Sequence, residues 1–444
     1  MKSFSFVLAA LAAAASPAAG TLARADTIAA DIQRDMPGLI AIYRDLHANP
    51  ELSYKEVRSA AIMAAAARKA GFTVTEKVGG TGIVALMQNG PGPTVLIRAD
   101  MDALPVVEQT GLAYASTRRD TSNAGVESGV MHACGHDTHM TVWIESARLL
   151  AARKSEWSGT LVMIGQPAEE LGTGARAMLA DGLFTRFPKP DYALAMHDSP
   201  YIPSGVFGVA PGYAMANADS VDIEVKGVGG HGAAPHLGND PIVIAAAIVM
   251  RLQTLVSREQ DPLDPAVVTV GSFHAGTKHN IISDSAKLQL TVRSYGDESR
   301  AHLLEGVRRI ARAEALAAGL PEDLMPVVKF MQPHTPAVYN DPEFARQAMA
   351  DLAPRFGADR IVTIKPLMAG DDFAEFRRTA PDKMKSLYFM VGGRPAEVFA
   401  AAEKEGTELP SLHSPFWAPE PDKVIATGAE ALTATALRLM PKPG

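Results

Sequence analysis

The strongest constraint on the fold is a series of short apolar strands alternating with helices, in which the strands lead into polar clusters. Residues 82–87, 94–98, 159–165 and 192–196 read as strands, apolar enough to be covered on both faces. Residues 55–70, 138–152 and 174–183 read as helices. Such alternation predicts an α/β fold: a mixed, largely parallel sheet flanked by helices. Asp100 and Asp102 follow the second strand, Glu169 and Glu170 the third, and His197 the fourth, while Cys134 and His136 sit just before a helix N-terminus. In open α/β sheets, sites form beyond the carboxyl ends of the strands, so these groups can converge on one crevice.

From about residue 218 the texture changes. Val221, Ile223 and Val225 alternate with polar residues, as in a strand with one wet face. Asn239-Asp240-Pro241 then opens a helix, with proline at its first position. Strands at 267–273 and 287–295, a helix at 298–317 and a strand at 327–330 complete a β-α-β-β-α-β path, the signature of a ferredoxin-like α+β module. Residues 218–332 are therefore expected to be an insert, with 26–217 and 333–444 forming the main α/β unit. A last polar cluster, Leu412-His413-Ser414-Pro415, offers one more side chain to the crevice.

Residues 1–25 read as a signal peptide. Lys2 gives a short positive start, residues 4–15 are apolar, and Ala23-Arg24-Ala25 offers a small-x-small site with cleavage after Ala25. The expected location is secreted or periplasmic, with no membrane attachment once the leader is removed. The formal charge of −7 and the lack of a basic run argue against nucleic acid as a partner.

Export sharpens the meaning of the single cysteine. Cys134 has no intramolecular disulfide partner in an oxidising compartment. It lies in Met131-His132-Ala133-Cys134-Gly135-His136-Asp137-Thr138-His139, where three histidines and an aspartate crowd around it. A thiolate among imidazoles and carboxylates suits a borderline-soft divalent metal. The competing explanations are an inert buried thiol and a nucleophilic cysteine, which would be blocked by alkylation but would survive chelation.

Taken together the motifs resemble the M20 metallopeptidase family, specifically its amidohydrolase branch of hippurate, N-acyl-amino-acid and auxin-conjugate hydrolases. The resemblance runs through His47-Ala48-Asn49-Pro50-Glu51-Leu52-Ser53, Arg98-Ala99-Asp100-Met101-Asp102 and Cys134-Gly135-His136-Asp137. It continues through Gln166-Pro167-Ala168-Glu169-Glu170, Met196-His197, Gly230-His231, His279-Asn280-Ile281-Ile282 and Leu412-His413-Ser414-Pro415. It implies two divalent metal ions, zinc or manganese foremost, with cobalt or nickel also compatible. Cys134 would bridge them, with His136 and His197 on one and Glu170 and His413 on the other. Glu169 would be the general base, and Asp102 would orient the site from behind the ligands. His231, on the inserted lid, would support the oxyanion of the tetrahedral intermediate, often from the partner subunit of a dimer. Asn280 and Arg293 would lie near a substrate carboxylate. The implied substrate is a small N-acyl or N-aroyl amino acid, and the implied assembly a homo-oligomer, dimer or tetramer.

Independent of the resemblance, neighbours on an extended segment point to opposite faces, so Glu169 and Glu170 are expected to differ in role, unless an irregular turn relaxes that geometry. His132 and His139 are expected to be hydrogen-bonded structural residues, His236 a loop or substrate-side residue, and Asp137 a helix cap or a supporting group. Asp371 stands where the family pattern usually has glutamate, and Ser283 where it commonly has proline, departures that bear on substrate reach. A metallo-dipeptidase of the same fold and a non-catalytic metal- or conjugate-binding protein are the rival functions. Glu169 argues against the binder, which has no need of a base.

Overall fold

The computed structural model describes residues 18–442, with side chains from residue 27 onward apart from Glu403. The expected leader therefore lies outside the residues described in side-chain detail. In chain order the principal strands are β1 (Thr73–Val78), β2 (Gly82–Asn89), β3 (Thr94–Asp100), β4 (Gly159–Gln166), β5 (Tyr192–Pro203) and β6 (Phe207–Val209). They continue with β7 (Asn217–Lys226), β8 (Val267–Ala275), β9 (Ser285–Ser294), β10 (Val327–Phe330), β11 (Ile361–Thr363) and β12 (Lys385–Arg394). The principal helices are α1 (Ala18–Ala48), α2 (Val57–Lys69), α3 (His136–Ala152), α4 (Pro241–Thr254), α5 (Asp297–Ala317), α6 (Pro342–Phe356) and α7 (Pro421–Leu439).

The larger sheet has eight strands in the order β1-β2-β4-β3-β5-β12-β6-β11. Its centre, β4, β3, β5 and β12, is parallel. Strands β1 and β2 extend it antiparallel on one side, and β6 pairs antiparallel with β12 on the other. The central strands are buried almost end to end because both faces are covered, which is why they read as apolar runs rather than alternations. One core joins the sheet to α1, α2, α3, α6 and α7 through Leu46, Met63, Trp143, Leu352 and Leu432. A second core, including Leu96, Ile164, Met178 and Phe376, fills the opposite face.

The smaller sheet is antiparallel throughout, in the order β8-β9-β7-β10, the strand arrangement of a ferredoxin-like module. Val221, Ile223 and Val225 turn inward from β7 and meet α4 and α5 over Leu288, Leu290 and Val292 of β9. Asp240 caps α4 by accepting the Ile242 N–H at 2.9 Å. The two chain crossings between the sheets are tied to each other: Ala218 and Thr335 exchange backbone hydrogen bonds at 2.8 and 3.0 Å.

One boundary differs from expectation in a way that matters. The sequence ends a strand at Met196, but β5 continues to Pro203. Its pairing with β3 stops at Ala195, while β12 accompanies it further and pairs Met390 with His197. His197 is thus held in a strand yet stands beyond the edge of β3, at the mouth of the crevice.

Candidate metal centre

Cys134, Gly135 and His136 form the turn into α3. Gly135 is left-handed, at φ 79°, and a Cβ there would lie 2.3 Å from Asp198 Oδ1, so no side chain fits. His136 Nδ1 lies 2.7 Å from the Asp102 carbonyl oxygen and therefore donates to it, leaving Nε2 free to accept or ligate. His197 is oriented in the same way, with Nδ1 2.7 Å from the Asp198 carbonyl oxygen. Its Nε2 lies 3.5 Å from Cys134 Sγ. His413 approaches from the far side, with Nε2 3.3 Å from Sγ and 3.5 Å from Glu170 Oε2. It adopts φ 66°, a left-handed conformation outside glycine, held by its N–H bonding to the Ala133 carbonyl at 2.8 Å.

Glu169 and Glu170 do not diverge as an extended segment would require. They occupy a turn after β4, and both carboxylates face His136, whose Nε2 is 3.9 Å from Glu169 Oε2 and 3.8 Å from Glu170 Oε1. The cause is Ala168, at φ 49°, which reverses the chain just before the pair. Such a conformation costs about 1–3 kcal/mol and persists only where its surroundings enforce it. Here the Asp102 carboxylate accepts the Glu169 and Glu170 N–H groups at 3.1 and 3.0 Å, and the Ser53 hydroxyl at 2.6 Å. Asp102 thus serves the site twice, through its carbonyl and through its side chain.

Several groups of three donors have ligating atoms within 4.8 Å of one another. Two of them share Cys134: one with His136 and His197, the other with Glu170 and His413. Others draw on Asp100, His139 and Asp198, but those side chains are already bonded among themselves, His139 lying 2.6 Å from Asp100 and 3.1 Å from Asp198. Around Cys134, by contrast, His136 Nε2 and Glu170 Oε1 are buried without a hydrogen-bond partner. Buried polar atoms are seldom left so, and a cation between them satisfies both.

The electrostatics agree. Burial, reinforced by Asp371 and Glu170, pushes the Glu169 carboxyl well above its ordinary range. Burial also lifts Glu170 to about 7, against the opposing pull of His136. Burial and the nearby Glu170 and Glu169 carboxylates push the Cys134 thiol up, opposite to what a nucleophilic cysteine needs. These anions gather where their charged forms are disfavoured, and divalent cations reverse that balance. The donor set fits a metal.

Sequence reasoning passed over much of what stands behind this cluster. Arg98 is fully buried and pairs with Asp100 at 2.5 Å and Asp371 at 2.8 Å. Asp371 also accepts the Tyr388 hydroxyl at 2.8 Å and is 2% exposed, so it braces the crevice floor from within. Asp198 accepts from Trp417 Nε1 at 3.1 Å, and its own carboxyl is held down near 2 because His139 and His197 outweigh the effect of burial. Asp137 bonds the His47 ring at 2.6 Å and also accepts the Thr138 N–H, in keeping with a supporting role. His139 is hydrogen-bonded as expected, but His132 is not. Both its ring nitrogens are buried without a partner, and burial lowers its pKa to about 4, keeping it neutral.

The remaining candidates lie in the smaller unit. His231 and Asn280 are exposed and share one ribbon, with Gly232 N–H bonding the Asn280 carbonyl at 2.9 Å. His236 is exposed in the turn that follows. Arg293 is half-buried on β9, its Nε donating to Thr291 Oγ1 at 3.0 Å. Ser283 bonds locally to Ser285. Among the described residues, none of these shares a hydrogen bond or ion pair with the Cys134 cluster.

An α/β sheet carrying buried thiol, imidazole and carboxylate donors at its strand ends defines a metal-dependent hydrolase. The chain belongs to peptidase family M20/M25/M40, whose model matches residues 96–414. It is 36% identical over 416 residues to thermostable carboxypeptidase 2 of Saccharolobus solfataricus, covering 93% of this chain and 98% of the relative. It is 37% identical over 340 residues to the hippurate hydrolase of Campylobacter jejuni, covering 76% and 84% of the two chains. Among solved structures, a dinuclear metal-binding M20 peptidase of Bacillus subtilis matches with a TM-score of 0.74 at 29% identity, covering 92% of this chain and 99% of that one. The protein is accordingly an amide-bond hydrolase with a metal cofactor.

Proposed function

We propose that the protein hydrolyses the amide bond between an acyl or aroyl group and an amino acid with a free carboxylate, acting in the periplasm or outside the cell. The observation that carries this reading is the pair of donor groups sharing Cys134, with the Glu169 carboxylate beside them. Cys134, His136, His197, Glu170 and His413 would hold the divalent metal, two ions in this reading, zinc or manganese being the natural choices for mixed sulfur, nitrogen and oxygen donors. When bound, such a pair polarises an amide carbonyl and lowers the pKa of a water molecule. Glu169 takes the proton from that water and returns it to the departing amine. Residues 218–332 act as a lid. Closure, or a partner copy, brings His231 to the oxyanion and Asn280 and Arg293 to the substrate carboxylate.

The similarity to a hippurate hydrolase supports the acyl-amino-acid reading, and that to a carboxypeptidase favours a second one, exopeptidase action on unblocked peptides. The test is turnover of hippurate, N-acetyl amino acids, aroyl-phenylalanines and dipeptides by metal-loaded wild type and by Glu169→Gln. We expect hydrolysis of blocked substrates, with kcat reduced by ~10²–10⁴-fold in the variant. Turnover of dipeptides alone would select the peptidase reading, and full activity in Glu169→Gln would remove Glu169 from the chemistry.

A further inference from the structure

One buried carboxylate near the centre ligates nothing in the reading above. Glu56 lies at the N-terminus of α2 and is fully buried. Its Oε1 accepts the Ala168 N–H at 2.8 Å and the Tyr54 N–H at 2.9 Å, while its other oxygen accepts the Thr81 hydroxyl. Ala168 is the left-handed residue that turns the chain so that Glu169 and Glu170 face the same way. Three successive N–H groups, of Ala168, Glu169 and Glu170, therefore point at two carboxylates, Glu56 and Asp102. Asp102 holds the second and third, and Glu56 alone holds the first.

The same clamp reaches the turn that carries Glu56. Tyr54 is itself left-handed, at φ 64°, and its hydroxyl bonds Thr173 Oγ1 at 2.8 Å, on the exit from the catalytic turn. Ser53 bonds Asp102 from the same segment. Two non-glycine residues in a rarely populated conformation thus face each other across one carboxylate, and each is fixed by a hydrogen bond to it.

We propose that Glu56 is a positioning residue for amide hydrolysis. By gripping the Ala168 N–H it keeps the turn reversed and aims Glu169 at the reacting water and Glu170 at the metal. The proposal rests on the reading of Glu169 as base and Glu170 as ligand. A carboxylate displaced by about an ångström from its working position forfeits about 10²-fold in rate.

The test compares Glu56→Gln, Glu56→Ala and, as a destabilised control remote from the crevice, Leu352→Ala on α6. The amide in Glu56→Gln still accepts from Ala168, so its kcat should stay within about threefold of wild type. In Glu56→Ala the Ala168 N–H is left unpaired, and kcat should fall by ~10²-fold with KM little changed. The visible spectrum of the cobalt-loaded protein should shift in Glu56→Ala and remain as in wild type in Glu56→Gln and Leu352→Ala. The proposal is overturned if Glu56→Ala keeps its kcat, or loses activity only as Leu352→Ala does at matched melting temperature with an unchanged cobalt spectrum. Glu169→Gln in the same series separates the two ideas: an active Glu169→Gln overturns the base, while the cobalt spectrum still judges Glu56.

Discussion

At the scale of single residues, the centre depends on backbone conformations as much as on donors. Tyr54, Ala168 and His413 are three of the four described non-glycine residues with positive φ, and all three adjoin the crevice. Gly135 admits no other residue there, since a methyl group would meet the Asp198 carboxylate and the conformation is left-handed besides. Gly135→Ala should lower the melting temperature by several degrees and reduce bound metal below the wild-type content, as measured by elemental analysis of purified protein. The donors themselves were legible in the sequence, because thiol, imidazole and carboxylate at strand ends announce their chemistry. The direction of Glu169 was not, because a two-residue alternation assumes an extended chain and gives no sign that an alanine is left-handed. Glu56 was hidden for another reason: a glutamate at the start of a helix reads as an ordinary solvated charge until its burial is seen.

Among the elements, the parallel core was readable from its apolar runs, and the ferredoxin-like path from its strand order. The N-terminal helix was overlooked, although Ile28, Ile32, Leu39, Tyr43 and Leu46 recur at three-, four- and seven-residue steps and are all buried. That helix is tied to the first turn of α3 by His47, whose ring lies 2.6 Å from Asp137 and 3.0 Å from Glu108. Burial pulls the imidazole pKa down, but its hydrogen bonds to Asp137 and Glu108 prevail and raise it to about 9. A histidine raised above its unfolded value of about 6.5 stabilises the fold fully below that pH and loses its contribution as pH climbs through about 9. The contribution is on the order of 3 kcal/mol. Thermal melts from pH 6 to 9.5 should show wild type well above His47→Gln at the acid end and the gap closing toward the alkaline end. A gap that stays constant with pH would place the effect in packing rather than in charge.

At the scale of the whole molecule, the outward side of α4 is the conspicuous surface. Val243 is 65% and Met250 72% exposed, a heptad apart on one side of an apolar helix. A stripe of this kind calls for a covering surface, and we propose that a second copy of the chain supplies it. On that proposal Met250→Glu lowers the mass measured by light scattering after gel filtration, and an unchanged mass removes this face of α4 from any subunit contact. The larger sheet carries a different consequence. Strand β12, which separates β5 from β6, and α7, which roofs the core, both follow the inserted unit in the chain, whereas every strand of the smaller sheet lies within residues 217–330. As the polypeptide emerges from the ribosome, the inserted unit has all its strands in hand while the sheet around the metal centre still lacks an inner member. The nascent chain must therefore keep an apolar, half-built sheet out of harmful company until β12 arrives, a period of vulnerability imposed by topology and not by any one side chain.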